Sequence, residues 1–396
     1  MRRLLTCLGV TVVAATTATT GIHMRLDIED VPVARVIANL SREAGQAPGD
    51  GQLQWALGRA YAIAASAGDS VTVDRKSGRP LPRTDVERLP APRLPGAAGE
   101  PSRTAHLAQA VAHYRRAAQL LPAERRIRLG LAWCLQQQGQ TREAIAAYRT
   151  VINDAWTSDS TRKAVEDGLS TVTTEAVTFL VPLLDPVADR AEIRTLSARK
   201  TAMDQLPRWM TPIVIALHER TPGSALVDAD ARVAFDIDGG RTGQTWEWIT
   251  PEAAWLVWDP RRSGRVSSGL QLFGSVTFWI FWSDGYRALA ALDDDGDGWL
   301  RDAELGGLAL WHDRNRNAVS DAAEVQSLRL HGVVAINCAG TRGDGTRVAA
   351  FALDGVRLAD GTRRTTYDVI LHTAAPRLTS ANTGTPRFLQ STRHPA

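Results

Sequence analysis

From about Glu29 to Ser158 apolar positions recur every three or four residues, a period that predicts amphipathic helices. Val31–Ala47 reads as one helix and ends at the turn Ala47-Pro48-Gly49-Asp50. Leu53–Ala67 is a second, with Trp55, Leu57, Ala60, Tyr61 and Ile63 on its apolar side. Ala105–Leu121 is a third and stops at Pro122, because proline cannot continue a helix interior. Ile127–Gln138 and Arg142–Ile152 then form a pair around Gly139. Residues 162–205 remain helical in pattern, broken at Pro182–Pro186, so 159–210 is expected as a helical connector.

Beyond it the pattern changes. Pro212–Leu217, Arg232–Phe235, Trp255–Trp258, Val333–Asn337, Val348–Leu353 and Tyr367–His372 are short β-branched or aromatic runs between turn signals. The expected fold is multidomain: an all-α, helical-hairpin N-terminal part over 29–158 and an α+β C-terminal module over 211–375. Residues 71–104, rich in proline, arginine and glycine, read as a long solvated insertion, and 376–396 as a disordered tail.

Two of the helices share a spacing. Ala110, Tyr114, Ala117 and Pro122 run small, aromatic, small, proline, and Ala144, Tyr148 and Val151 repeat the first three steps 34 residues later. Leu131, Ala132 and Leu135 fill the helix between, while Leu57, Gly58 and Tyr61 match the opening helix of such a unit. Small residues let helices approach, and the aromatic fills the gap between them. The region resembles the tetratricopeptide repeat (TPR), with one split unit, one intact unit and a preceding half-unit. That resemblance implies a surface for a protein or peptide.

The densest chemistry lies in Asp293-Asp294-Asp295-Gly296-Asp297-Gly298-Trp299-Leu300-Arg301-Asp302-Ala303-Glu304. An EF-hand loop needs side-chain oxygens at positions one, three and five and a glycine at six. A backbone carbonyl at seven and a glutamate at twelve complete it. Asp293, Asp295, Asp297, Gly298, Trp299 and Glu304 fill those places, and Leu300 supplies the apolar anchor at eight. Tyr286–Leu292 has the period of an entering helix. Calcium needs this pattern because it is large and hard, and takes six to eight oxygens. Arg301, at position nine, departs from the pattern and should weaken binding.

A second loop begins 20 residues later, with donors at Asp313, Asn315, Asn317, Val319 (through its carbonyl), Asp321 and Glu324. Its position six is Ala318, which must take a positive φ at a cost of about 1 kcal/mol. Arg314 and Arg316 stand between its donors, so this is the weaker expected site. The short spacing leads to the expectation of one shared helix, Ala303–His312, between the loops, and of a compact pair that locks structure. Phe235-Asp236-Ile237-Asp238-Gly239-Gly240 and Asp259-Pro260-Arg261-Arg262-Ser263-Gly264-Arg265-Val266 are weaker echoes, read as vestigial.

The order of blocks from Ala234 to Ile336 resembles the divergent EF-hand region of large secreted bacterial proteins, including some of the repeats-in-toxin class. It also resembles exported bacterial proteins that join such a region to TPR-like helices. The resemblance implies calcium (Ca2+) as the bound ion in an extracytoplasmic setting.

Composition narrows the rest. A net charge of +3, with basic residues scattered along the chain, gives no reason to expect nucleic acid. Arg2 and Arg3, the apolar run Leu4–Ala15 and the small residues Thr16–Gly21 predict a signal peptide over 1–20 and export to the periplasm or beyond the cell, with no transmembrane segment after its removal. Cys134 and Cys338 would remain, and spacing does not say whether they pair. The eight histidines form no zinc spacing, and no nucleophile motif is present. Eight of the twelve tryptophans fall between Trp246 and Trp311. Phe278, Trp279, Phe281 and Trp282 among these aromatics are expected as core rather than as a sugar platform. The expected function is a calcium-binding, exported, non-enzymatic scaffold. Two alternatives stay open: an exported carbohydrate-active or hydrolytic enzyme with structural calcium, and a module whose loops hold no metal.

Overall fold

A computed structural model describes residues 31–67, 73–74, 79–80, 103–165, 171–219, 221–237 and 244–373. The expected signal peptide, most of the insertion 71–104 and the tail 376–396 lie outside the described residues. So do Asp238, Gly239 and Gly240 of the first vestigial loop.

Each expected N-terminal helix is present: α1 (Val33–Gln46), α2 (Gly51–Ala67), α3 (Arg103–Leu120), α4 (Arg125–Gln137) and α5 (Thr141–Asp159). The last runs on past the expected end at Ile152. The connector holds α6 (Val172–Leu180) and α7 (Arg190–Asp204), with a single 3-10 turn at Val181–Leu183 where Pro182 interrupts the helix. Each helix packs on the next in chain order, the stacking of a repeat solenoid. The repeated positions are the reason. Ala110, Tyr114, Ala117, Ala144, Tyr148 and Val151 are all buried. Gly58 and Gly130 flank the Tyr114 ring so closely that a Cβ would lie 2.8 and 2.5 Å from ring carbons. Only glycine admits that approach.

The C-terminal part is β-rich. One small pair, β1 (Val73–Asp74) with β2 (Arg79–Pro80), lies in the insertion between α2 and α3, and another, β3 (Trp209–Met210) with a late strand, β15 (Leu371–His372), flanks the main sheet. A third pair joins β5 (Val227–Ala234) to β6 (Thr245–Ile249). The main sheet takes β4 (Ile213–Ala216), β7 (Ala253–Trp258), β8 (Trp299–Arg301), β9 (Leu308–Trp311), β10 (Val325–Ser327), β11 (Val333–Asn337), β12 (Thr341–Arg342), β13 (Val348–Leu358) and β14 (Arg363–Val369). Its order is β10-β9-β7-β4-β14-β13-β11-β8, with β12 beside β13, and every pairing is antiparallel.

That order forces curvature. β10 and β11 stand six places apart, roughly 29 Å on a flat sheet at about 4.8 Å per strand. Six residue steps from Ser327 to Val333 reach at most about 21 Å even when fully extended. The connection instead contains a 3-10 turn, Leu328–His331, so the sheet must roll toward closure. Rolling explains why β4, β7 and β9 are buried on both faces. Trp246, Trp248, Trp255 and Trp311 fill the interior, each essentially inaccessible. Phe278, Trp279, Phe281 and Trp282 are buried as well, as expected of core.

One expected element is absent. Ala303–His312 is not a helix: Asp302–Leu305 makes a single 3-10 turn, and Leu308–Trp311 is strand β9. Gly306 and Gly307 end the turn; Gly307 takes φ +90°, and a Cβ there would also lie 2.5 Å from the Trp258 ring. The two loops therefore share no helix and sit on strands at opposite ends of the hydrogen-bonded order.

The helical and β-rich parts touch through buried contacts. Trp55 stacks on Phe281 at 6.0 Å, Arg126 lies over both rings, and Arg59 Nε donates to the Trp279 carbonyl at 2.6 Å. Cys134 and Cys338 are both buried and free.

Candidate metal centre

The first loop hangs between α8 (Gly285–Ala290) and β8. Asp284 starts the helix by accepting from the backbone N–H groups of Tyr286 and Arg287, both at 3.0 Å. Leu300 is fully buried and pairs with Ile336 of β11, so position eight anchors the loop to the sheet. The oxygens of Asp293, Asp295 and Asp297 converge to within 4.8 Å of one another. Asp293 is buried at the base, while Asp295 and Asp297 are exposed. Trp299, whose carbonyl would serve at position seven, is half-buried, as is Glu304.

Backbone geometry explains the convergence. Gly296 and Gly298 take φ +76° and +84°, turning the chain sharply around the Asp293 carboxylate. Asp293 Oδ2 accepts from Gly298 N at 2.9 Å, and Asp295 Oδ1 and Asp297 Oδ1 accept from the amides two residues on. Glu304 closes the ring, its Oε1 accepting from Asp294 N at 2.6 Å and its Oε2 from Arg301 N at 3.0 Å.

The second loop repeats the main bonds of this scheme, although Asp313 Oδ1 accepts from Asn317 N at position five where Asp293 Oδ1 accepts from Gly296 N at position four. Asp313 Oδ2 accepts from Ala318 N at 2.8 Å, Asn315 Oδ1 from Asn317 N and Asn317 Oδ1 from Val319 N. Glu324 Oε1 accepts from Arg314 N at 3.1 Å and its Oε2 from Asp321 N at 3.2 Å. Ala318 has φ +55°, the strained value expected where glycine is missing. Asp313 and Glu324 are buried, Asn315, Asn317 and Asp321 are exposed, and the Val319 side chain is 56% exposed. The flanking elements differ: strands β9 and β10 pair with each other, so this loop is the bend of a hairpin. Trp248 Nε1 donates to Asp313 Oδ2 at 2.7 Å, a buried contact that motif spacing did not signal.

Asp259–Val266 keeps the turn but not the donors. Asp259 Oδ2 accepts from Gly264 N and Oδ1 from Ser263 N, both at 2.9 Å, as in the other loops. Arg261 occupies its position three. Val266 N donates to Ser320 Oγ at 3.0 Å, joining this turn to the second loop at matching positions eight.

Cations lie close to the first loop. Arg301 reaches from position nine to Asp297 Oδ2. Helix α1, about 250 residues away in sequence, presents Arg35, Asn39 and Arg42 to the back of the loop. Arg35 Nε and Asn39 Nδ2 donate to Asp294 Oδ1 at 2.7 and 2.9 Å. The i, i+4, i+7 spacing gave these three residues a common face but no sign of what it meets. The Cys338 thiol sits behind the loop. Burial and then the carboxylates of Asp293, Glu304 and Asp297 push its pKa up. The side chains that converge in the loop, Asp293, Asp295 and Asp297, offer carboxylate oxygens.

Two stretches of the chain match known family models. Residues 106–155 match a tetratricopeptide-repeat family model, and residues 214–372 match that of the SPM domain. The helical part contains a TPR-like repeat. The chain is also similar to the iron-regulated protein FrpA of Neisseria meningitidis serogroup C, 33% identical over 97 residues. That stretch is 23% of this chain, and it covers 9% of the relative's length. Among the described residues, no helix is long and apolar enough to cross a membrane.

Proposed function

We propose that the loops 293–304 and 313–324 bind calcium, and that the ion fixes the β-rich module of an exported, non-enzymatic scaffold whose TPR-like helices dock a protein or peptide. The observation that carries the reading is the convergence of Asp293, Asp295 and Asp297 on one point, with Glu304 closing the ring. A purely oxygen set of this size suits a hard cation that tolerates irregular geometry. Calcium fits that description better than magnesium, which demands a near-octahedral shell and keeps its waters. Three carboxylates in such contact repel one another, and a divalent cation removes that cost.

In the second loop a reading without metal has its own support. The Asn315 and Asn317 side-chain amides both donate to Asp321 Oδ2, at 2.8 and 3.0 Å. Those donors balance Asp321 internally, so this loop is the weaker binder in the proposal.

The test is calorimetric titration of the chelator-stripped protein with calcium. Two sites of unequal affinity are expected, with Glu304→Gln removing the tighter and Glu324→Gln the weaker. Full stoichiometry in Glu304→Gln would refute the ligand assignment. A hydrolytic activity that survives both substitutions would favour the enzyme reading instead.

A further inference from the structure

Helix α1 is amphipathic with two buried faces. Val36, Leu40 and Ala44 pack into the helical core. The side chains of Arg35, Asn39 and Arg42 instead take four successive carbonyls of the C-terminal part. Asn39 Nδ2 donates to Ala291 O at 3.1 Å and Arg35 Nη2 to Leu292 O, while Arg42 donates to Asp293 O at 2.6 Å and to Asp294 O. Those carbonyls end α8 and open the calcium loop. Ala291, the C-cap of α8, takes the neutral Asn39 amide, and the two arginines take the carbonyls just beyond it, where the loop backbone begins. Arg35 and Asn39 are only 7% and 6% exposed. Losing the loop would leave them buried without these partners. Glu43 adds an ion pair to Arg287 of α8 at 2.7 Å.

None of these contacts uses a calcium donor. Asp294 is position two, whose side chain faces away from the ion, and the carbonyls of positions one and two do not ligate. The clamp therefore fixes the backbone on which Asp293 sits without occupying its carboxylate. We infer that α1 is a calcium-coupled latch: Arg35, Asn39 and Arg42 are positioning residues for the first loop, and calcium in that loop holds the helical part against the β-rich part. This rests on the proposed calcium reading. Coupling of two equilibria is reciprocal, so the factor by which α1 tightens calcium must equal the factor by which calcium tightens α1.

Charge alone predicts the opposite sign, since two guanidinium groups near a cation site repel the cation. The two effects separate in Arg42→Ala, which removes an exposed side chain and leaves the buried face of α1 intact. Calcium affinity is measured by calorimetry in a Glu324→Gln background, so that only the first loop reports. Amide exchange across α1 is followed with and without calcium. The latch predicts that Arg42→Ala weakens binding at least about fivefold, within the usual range for coupled sites, and that Arg42→Lys recovers part of it. It also predicts that calcium raises α1 protection in the Glu324→Gln protein but not after Glu304→Gln is added. Normal calcium binding with unchanged α1 exchange, or tighter binding in Arg42→Ala, would overturn the latch and leave the calcium reading standing. No calcium heat at the first loop would overturn both.

Discussion

Trp248 Nε1 donates to Asp313 Oδ2 at 2.7 Å, with both side chains buried. Trp248 packs edge-on against Trp255 and Trp311 at 5.4 and 5.7 Å, so the base of the second loop is fastened to the sheet interior. Trp248→Phe keeps most of the ring contact and removes the donor. A hydrogen bond to a charged group contributes about 1.5–3 kcal/mol, and that loss of stability is expected in urea unfolding. An unchanged midpoint would mean that Asp313 is satisfied by other donors.

Arg301 pairs with Asp297 inside the first loop, where it competes with any bound cation. Arg301→Ser is expected to tighten calcium by about threefold, the scale of an exposed ion pair. Weaker binding would place Arg301 among the groups that shape the loop.

Ala318 holds φ +55°. Ala318→Gly relieves about 1 kcal/mol of left-handed strain, offset in part by the entropy that glycine adds to the unfolded chain. A small net rise in melting temperature is expected. A fall would show that the lost methyl, buried against the core, matters more.

Glu247 is buried beside Arg347 at 2.8 Å and accepts from the His372 backbone at 3.1 Å. Burial opposes its ionisation, but hydrogen bonds from His372 and Arg347 outweigh it and hold the pKa below the ordinary 4.5. A lowered carboxyl stabilises the fold above its unfolded value, and that contribution disappears as pH falls through the folded value. Acid unfolding below about pH 4.5 should therefore be shallower in Glu247→Gln, although that variant starts less stable. Parallel curves would assign the acid sensitivity to other carboxylates.

Local signals carried much of this in the sequence. The Asp293 loop was legible because every donor falls within twelve residues and glycine marks the turns. The helices were legible because Ala110, Tyr114 and Ala144, Tyr148 repeat a packing rule. Long-range relations were not. Arg35, Asn39 and Arg42 look like a solvated face until α8 arrives against them. Trp248 meets Asp313 only through sheet curvature. Leu308–Trp311 was expected in a helix because four apolar residues are too few to distinguish the periods. The glycines before it, Gly306 and Gly307, were the unused clue.

The most direct test is the dependence of unfolding stability on free calcium. A ligand that binds only the folded state adds RT ln(1 + [L]/Kd), about 1.4 kcal/mol per tenfold calcium above Kd for each site. The account predicts that slope in the wild-type chain and a flat response in Glu304→Gln/Glu324→Gln. A wild-type chain whose stability does not change from chelator to millimolar calcium would contradict it.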